Sequence, residues 1–135
     1  MRLYAEDPAN KFLPCTGLVN FFDTPPRQGV RIDSGIVAGQ EISPFYDPMI
    51  AKIITQGETR EVARKLMVDV LRETALFGVR TNRDFLIACL ENDRFADGTF
   101  STAFIAEEFG EEGFSEVAPG IYGCAGGAPL SFRSR

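Results

Sequence analysis

Met49-Ile-Ala-Lys-Ile-Ile-Thr55, then Gln56-Gly57-Glu58, then Thr59-Arg-Glu-Val-Ala-Arg-Lys-Leu-Met-Val-Asp-Val-Leu-Arg-Glu-Thr-Ala75: within this stretch the chain changes its period. The first block is a continuous apolar run interrupted only by Lys52, short enough for a buried strand. In the last block Val62, Leu66 and Val70, with Met67 and Leu71, recur at three- and four-residue spacings, which predicts one apolar face of a helix running to about Ala75. Thr59 predicts its N-cap, and Glu61 puts a negative charge in the first turn, where the helix dipole favours it.

Working outward from this junction, the N-terminal side holds short strand-forming segments between strong turns. Residues 2–5 end at Glu6-Asp7-Pro8, and residues 18–22 end at Asp23-Thr24-Pro25-Pro26, whose prolines remove ladder donors. Val30-Arg31-Ile32 alternates, Asp33-Ser34-Gly35 turns, and residues 36–42 read as a strand that Gly39 bends or bulges. Ser43-Pro44 and Tyr46-Asp47-Pro48 break the chain before Met49. On the C-terminal side, Gly78 ends the helix, Asn82 predicts the cap of a second one carrying Phe85, Leu86, Cys89 and Leu90, and Ser101 predicts the cap of a third carrying Phe104, Ile105 and Phe109. Strands first and helices afterwards predict an α+β fold, an antiparallel β-sheet from the N-terminal half with the C-terminal helices packed on it. Residues 110–135 hold six of the thirteen glycines and no periodic apolar face, so they read as a linker or tail after a domain of residues 1–109. The opening inside a strand and this tail together fit a fragment of a larger subunit.

Composition narrows the chemistry. The chain has 135 residues, a formal net charge of −5, no basic run and no apolar stretch of membrane-spanning length, which disfavours nucleic-acid and membrane partners. Histidine and tryptophan are absent, which excludes His-based triads and imidazole acid–base chemistry within this sequence. Cys15, Cys89 and Cys124 show no CxxC spacing, and nothing in the first residues marks the chain for export, so they read as reduced thiols. Gly126-Gly127 is no phosphate loop, because no Lys-Ser/Thr follows. Glu6-Asp7 is no acid–base pair, since adjacent carboxylates in a turn face different ways.

Arg2-Leu-Tyr-Ala-Glu-Asp-Pro8 with Phe12-Leu-Pro-Cys-Thr-Gly17, then Gly29-Val-Arg-Ile-Asp-Ser-Gly35, then Ser43-Pro-Phe-Tyr-Asp-Pro-Met-Ile-Ala-Lys52, resemble in order and spacing the C-terminal domain of biotin carboxylase. Gly78-Val-Arg-Thr-Asn82 and Thr102-Ala-Phe-Ile105 continue the likeness to about Phe109. The wording is closer to the biotin-containing subunits of propionyl-, methylcrotonyl-, geranyl- or acetyl-CoA carboxylases than to pyruvate carboxylase; Cys15 stands where that family usually has Ser.

The resemblance implies a part of an enzyme that carboxylates biotin with ATP and bicarbonate. ATP, magnesium and bicarbonate would bind mainly to an upstream ATP-grasp domain, since no Glu-x-Asn-x-Arg string is present here. It further implies a biotin carboxyl carrier domain and a carboxyltransferase subunit as partners, a homodimer at full length, a cytoplasmic or mitochondrial-matrix location, and an isolated chain without activity. Arg31 matches the arginine that stabilises the charge developing on the biotin ureido oxygen. Read from its neighbours alone, Arg31 is simply a solvent-facing strand residue. Asp33 lies two residues on, on the same strand face if the strand continues, and either holds the guanidinium at the biotin site or begins a turn. Lys52 reads as a snorkelling lysine, with a phosphate or domain contact as the functional alternative. Arg60 and Glu61 fall where the family forms its subunit interface, which leaves open a non-catalytic role in dimerisation and domain docking.

Overall fold

The computed structural model describes residues 1–110 and Phe114. Its centre is an antiparallel sheet of three strands, β1 (Arg2–Tyr4), β6 (Val30–Ser34) and β8 (Met49–Thr55), with β8 between the other two. β8 is the apolar run quoted above, and it carries three of the four buried side chains of this sheet. Leu3, Ala51 and Ile53 point inward and are fully buried, while Arg2, Lys52 and Ile54 point outward. A bulge where Leu3 pairs with Ala51 but Tyr4 with Met49 leaves Ile50 without an opposite residue and turns it inward too.

Around this sheet lie three two-stranded ribbons: β2 (Glu6–Asp7) with β3 (Leu13–Pro14), β4 (Gly17–Leu18) with β7 (Glu41–Ile42), and β5 (Phe21–Asp23) with β9 (Ala75–Phe77). The strand expected over residues 36–42 is only β7; Gly39, at φ +88°, turns the residues before it. Gly78 is required by contact as well as conformation: at φ +116°, an added Cβ would lie 2.0 Å from the Leu18 carbonyl oxygen.

Helix α1 (Arg60–Glu73) starts where Thr59 Oγ1 accepts the Val62 N–H at 3.2 Å, as its sequence predicts. Its inward face is Met67, Val68, Val70 and Leu71, which pack with Ile53 and with Leu90 of α2 (Arg83–Glu91). Fully burying side chains of this size contributes about 1.5–3 kcal/mol each, so this junction of sheet and helices is one apolar core; a second, larger one gathers Leu3, Ile50 and Ala51 of the sheet with Val19, Ile36, Ile42 and Leu76. Val62, expected on that face, is half exposed. Asn82 precedes α2 but makes no cap bond; it is buried, its Oδ1 accepts the Tyr4 N–H at 3.0 Å, and its own N–H donates to Tyr4 O at 3.1 Å. The residue read as a helix cap therefore ties the helical half to β1.

Helix α3 (Asp93–Asp97) and helix α4 (Phe104–Phe109) are the last elements among the described residues. Ser101 turns the backbone into α4 by accepting the Ala103 N–H at 3.1 Å. Phe85, Cys89 and Phe104 form a third buried cluster with Phe12 and Phe109 against it. Phe114 joins it too: its ring lies 5.6 Å from Phe85, and its N–H donates to Pro8 O at 2.9 Å. The rest of the glycine-rich tail, with Cys124 and Gly126-Gly127, lies outside the described residues.

Candidate functional site

The outward face of the central sheet is the candidate. In an antiparallel ladder, directly opposed residues project to the same side. Arg31 opposes Ile54, Asp33 opposes Lys52, and Lys52 opposes Arg2, so these five share one face. Three cations and one carboxylate thus stand in rows on a chain whose net charge is −5. β6 is held at its start by Gly29, at φ +78°, where an added Cβ would come within 2.8 Å of Gln56 O; Gln56 N–H donates to Gly29 O at 2.8 Å.

Arg31 and Asp33 are both exposed and bonded to each other, Nε to Oδ1 at 2.9 Å. The strand does continue through Ser34, which puts the two on one face. The hydrogen bond with Asp33 raises the Arg31 pKa and lowers that of Asp33; Lys52 adds a smaller downward pull on Asp33. Both groups are charged at neutral pH.

How each guanidinium is used sets Arg31 and Arg2, both on this face, apart from the other described arginines: neither commits a terminal nitrogen, and Arg2 makes no side-chain hydrogen bond to a described residue. Each of the other described arginines that makes a side-chain hydrogen bond commits at least one terminal nitrogen, for example Arg64 to Glu61 and Leu90 O, Arg80 to Asp7, and Arg94 to Glu108. Arg31 commits only Nε. Its four terminal N–H donors have no acceptor among the described residues, which leaves a planar fork suited to an anionic oxygen.

The other sequence-predicted residues lie elsewhere. Arg60 opens α1, and its fork is filled from within the chain: Nη1 donates to Ala96 O at 2.6 Å, Nη2 donates to Phe95 O, and the guanidinium carbon lies 5.1 Å above the Phe95 ring. Glu61 accepts from Arg64 at 2.7 and 2.8 Å and pairs with Lys65 at 3.2 Å; the Arg64 hydrogen bonds, chiefly, hold its carboxyl down to about 2. Lys52 is an exposed residue on the same face as Arg31. The turn Tyr46-Asp47-Pro48 is rigid, Asp47 Oδ1 accepting the Met49 N–H at 2.9 Å, and Tyr46 is 82% exposed. It lies beyond the Met49 end of β8, about 17 Å along the strand from the level of Arg31 at the usual rise per residue.

Glu6 and Asp7 face different partners. Asp7 takes Arg80 Nη1 at 2.8 Å, while burial, and then Asp47, raise the Glu6 pKa. Cys89 is buried, which pushes its thiol up to about 11 and leaves it unreactive at neutral pH. Sequence reasoning missed Ile54 and Arg2 as members of the cationic face. Only the register, which no local pattern reveals, brings them beside Arg31.

Fold and face together describe an α+β module that offers an oriented, unoccupied guanidinium fork on an open sheet surface. Comparison with known proteins makes the assignment definite. Residues 1–107 match the model of the biotin carboxylase C-terminal domain, and the chain belongs to that family. It is 41% identical over 109 residues to biotin carboxylase of Haemophilus influenzae, covering 81% of this chain and 24% of that protein. It is 43% identical over 110 residues to the human mitochondrial propionyl-CoA carboxylase alpha chain, covering 80% and 15%. Among solved structures, the biotin carboxylase domain dimer of Hydrogenobacter thermophilus 2-oxoglutarate carboxylase, in complex with MgADP, ADP and bicarbonate, superposes with a TM-score of 0.79 at 33% identity, over 85% of this chain and 25% of that one. The chain thus spans about a quarter or less of the length of these relatives. Among the described residues, no helix is long and apolar enough to cross a membrane.

Proposed function

We propose that this chain is the C-terminal part of the biotin carboxylase component of an acyl-CoA carboxylase, and that Arg31 stabilises the biotin ureido oxygen as negative charge develops on it. The observation that carries the reading is the fork: Arg31 is held at Nε by Asp33 and keeps both terminal nitrogens free. The ureido N–H is a very weak acid, so its removal needs a fixed positive group at the oxygen that receives the charge. A guanidinium has a permanent charge and a planar pair of donors, which suits this better than an ammonium. Asp33 belongs to the same biotin-facing site.

ATP, bicarbonate and magnesium are assigned to an ATP-grasp domain outside this chain. Among the described residues no three carboxylate, thiol or imidazole groups converge as metal ligands. Magnesium, when bound in that domain, neutralises phosphate charge; this chain's share is Arg31. The reading includes a carboxyl carrier domain that brings biotin to the open face, and a carboxyltransferase subunit that receives the carboxyl group. It also includes a homodimer, supported by the dimeric relative, and a location in the bacterial cytoplasm or the mitochondrion, the second supported by the name of the human relative. Arg60 and Glu61 are the interface residues of the assembly role, Arg60 with its terminal nitrogens already engaged within the chain.

The test is biotin-dependent ATP cleavage by the full-length subunit carrying Arg31→Ala or Arg31→Lys. Both lose about 10²-fold or more in turnover, the usual cost of removing an oxyanion donor, with ATP binding intact. Rates within about twofold of wild type, far below that cost, would leave Arg31 a solvated strand residue and move the function to assembly. The isolated chain shows no bicarbonate-dependent ATP cleavage above background.

A further inference from the structure

The aromatic cluster around α2 is closed by a residue that lies beyond the last helix. The ring of Phe85, on α2 and 6% exposed, is met edge-on from three separate parts of the chain. Phe12 approaches at 4.8 Å between ring centres, Phe109 at 5.2 Å and Phe114 at 5.6 Å, with interplanar angles of 71°, 68° and 67°. Edge-to-face contact is an arrangement that aromatic quadrupoles favour. Phe114 also lies 5.8 Å from Phe109, and its backbone N–H donates to Pro8 O at 2.9 Å. Between the two, Gly110 leaves α4 at φ +73°, which glycine adopts without a Cβ penalty. The family match stops at residue 107, so it does not account for Phe114.

The carbonyl that Phe114 reaches heads a strained turn. Among the described residues, only Lys11 and Phe12 hold a positive φ without being glycine, at +53° and +57°. Side chains disfavour that region, so two in succession persist only where surrounding contacts hold them. Three contacts do so here. Phe12 N–H donates to Asp7 O at 2.9 Å, the Phe12 ring packs on Phe85, and Phe114 bonds Pro8 O at the start of the same turn. We propose that Phe114 is the terminal anchor of this module: it straps the chain beyond α4 onto the Pro8–Phe12 turn, steadies that turn, and fixes the point from which the following residues depart. Whatever follows Phe114 then starts beside Pro8 and not at the end of α4. The strap is a conformational device separate from the outward face of the sheet, and it stands whatever the role of Arg31.

The experiment is amide hydrogen exchange on the full-length subunit, comparing wild type with Phe114→Ala and Phe114→Tyr. In the wild type the Phe114 amide exchanges at least about tenfold more slowly than in an unstructured peptide, because its N–H is bonded. Phe114→Ala quickens exchange at Ala9 and Phe12, the amides that close the turn, by about tenfold. The amides of β8 and α1 keep their protection in that variant, which separates release of a strap from loss of the fold. Phe114→Tyr retains both the ring and the N–H and stays within about twofold of wild type at every one of these amides. Free-peptide exchange at Phe114 in the wild type overturns the strap. Unchanged exchange at Ala9 and Phe12 in Phe114→Ala overturns it as well, by showing that the ring does not steady the turn. Quickening spread evenly over β8 and α1 also counts against it, since Phe114 would then belong to the general core.

Discussion

Arg31 and Arg60 are both exposed, and both sit near the start of a regular element, yet the chain uses them in opposite ways. Arg60 spends both terminal nitrogens on the carbonyls of Phe95 and Ala96, the last acceptors of α3, and lays its plane over the Phe95 ring. Carbonyls at a helix C-terminus run short of helical donors; Phe95 O also accepts the Gly98 N–H at 3.3 Å, and the guanidinium adds a donor there and at Ala96 O. Arg31 spends only Nε and keeps the fork that Arg60 uses up. A guanidinium with both terminal nitrogens committed within the chain holds the fold; one fixed in plane with its fork open is available to something else. Charge and exposure do not distinguish the two, whereas the list of acceptors does.

The comparison breaks most visibly if the two arginines are exchanged in effect. Arg31→Ala is expected to remove about 10²-fold or more of turnover in the full-length subunit without changing its unfolding temperature. Arg60→Ala should do the reverse, with specific activity per folded molecule near wild type. A large fall in activity for Arg60→Ala with α3 still protected would join the two residues in one function and void the contrast.

A smaller effect sharpens the Arg60 side. Losing two exposed charge-assisted bonds and a cation–π contact costs about 1–2 kcal/mol. That cost falls locally on the junction of α1 and α3. Amide hydrogen exchange in α3 should therefore quicken by about tenfold in Arg60→Ala, while the amides of β6 and β8 keep their protection. Uniform quickening across the sheet would show that Arg60 stabilises the whole fold and not one clamp.

The same contrast explains what could be read in the sequence. β8 and α1 were legible because their signals are local: a short apolar run, then a three-to-four spacing behind a threonine cap. The Arg31–Asp33 pair was legible as a possibility, since period two puts i and i+2 on one face. The Arg60 clamp was not, because its acceptors lie 35 and 36 residues away and are backbone atoms, which carry no sequence identity. Asn82 was read only in part for a related reason: it stands at the N-cap of α2, but its side chain accepts from Tyr4, across the fold, and not from the helix. Helix α3 and strand β9 were missed because five and three residues are too few to show a period. Residues 110–135 read as a uniform tail, yet Phe114 packs on Phe85 and Phe109, a contact that only the third dimension brings together.

The smallest effect lies one residue past Arg60. Glu61 grips Arg64, which also donates to Leu90 O at 2.6 Å, so this carboxylate steadies an arginine linking α1 to α2. Its pKa is depressed from 4.5 to about 2, first by the Arg64 hydrogen bonds and then by Lys65. A depressed carboxylate stabilises the fold fully above its unfolded value of 4.5, and that contribution is lost as pH falls from there towards 2. Protection at the α1–α2 contact should thus be flat from neutral pH down to about pH 5 and decline below it. Carboxyl-detected NMR should find Glu61 titrating near 2, and Arg64→Gln should return it towards 4.5. A Glu61 midpoint already near 4.5 in the unaltered chain would mean that the Arg64 grip is not maintained in solution. Arg60 would then clamp α3 from a helix end that Glu61 does not help to fix, and the contrast with Arg31 would rest on acceptors alone.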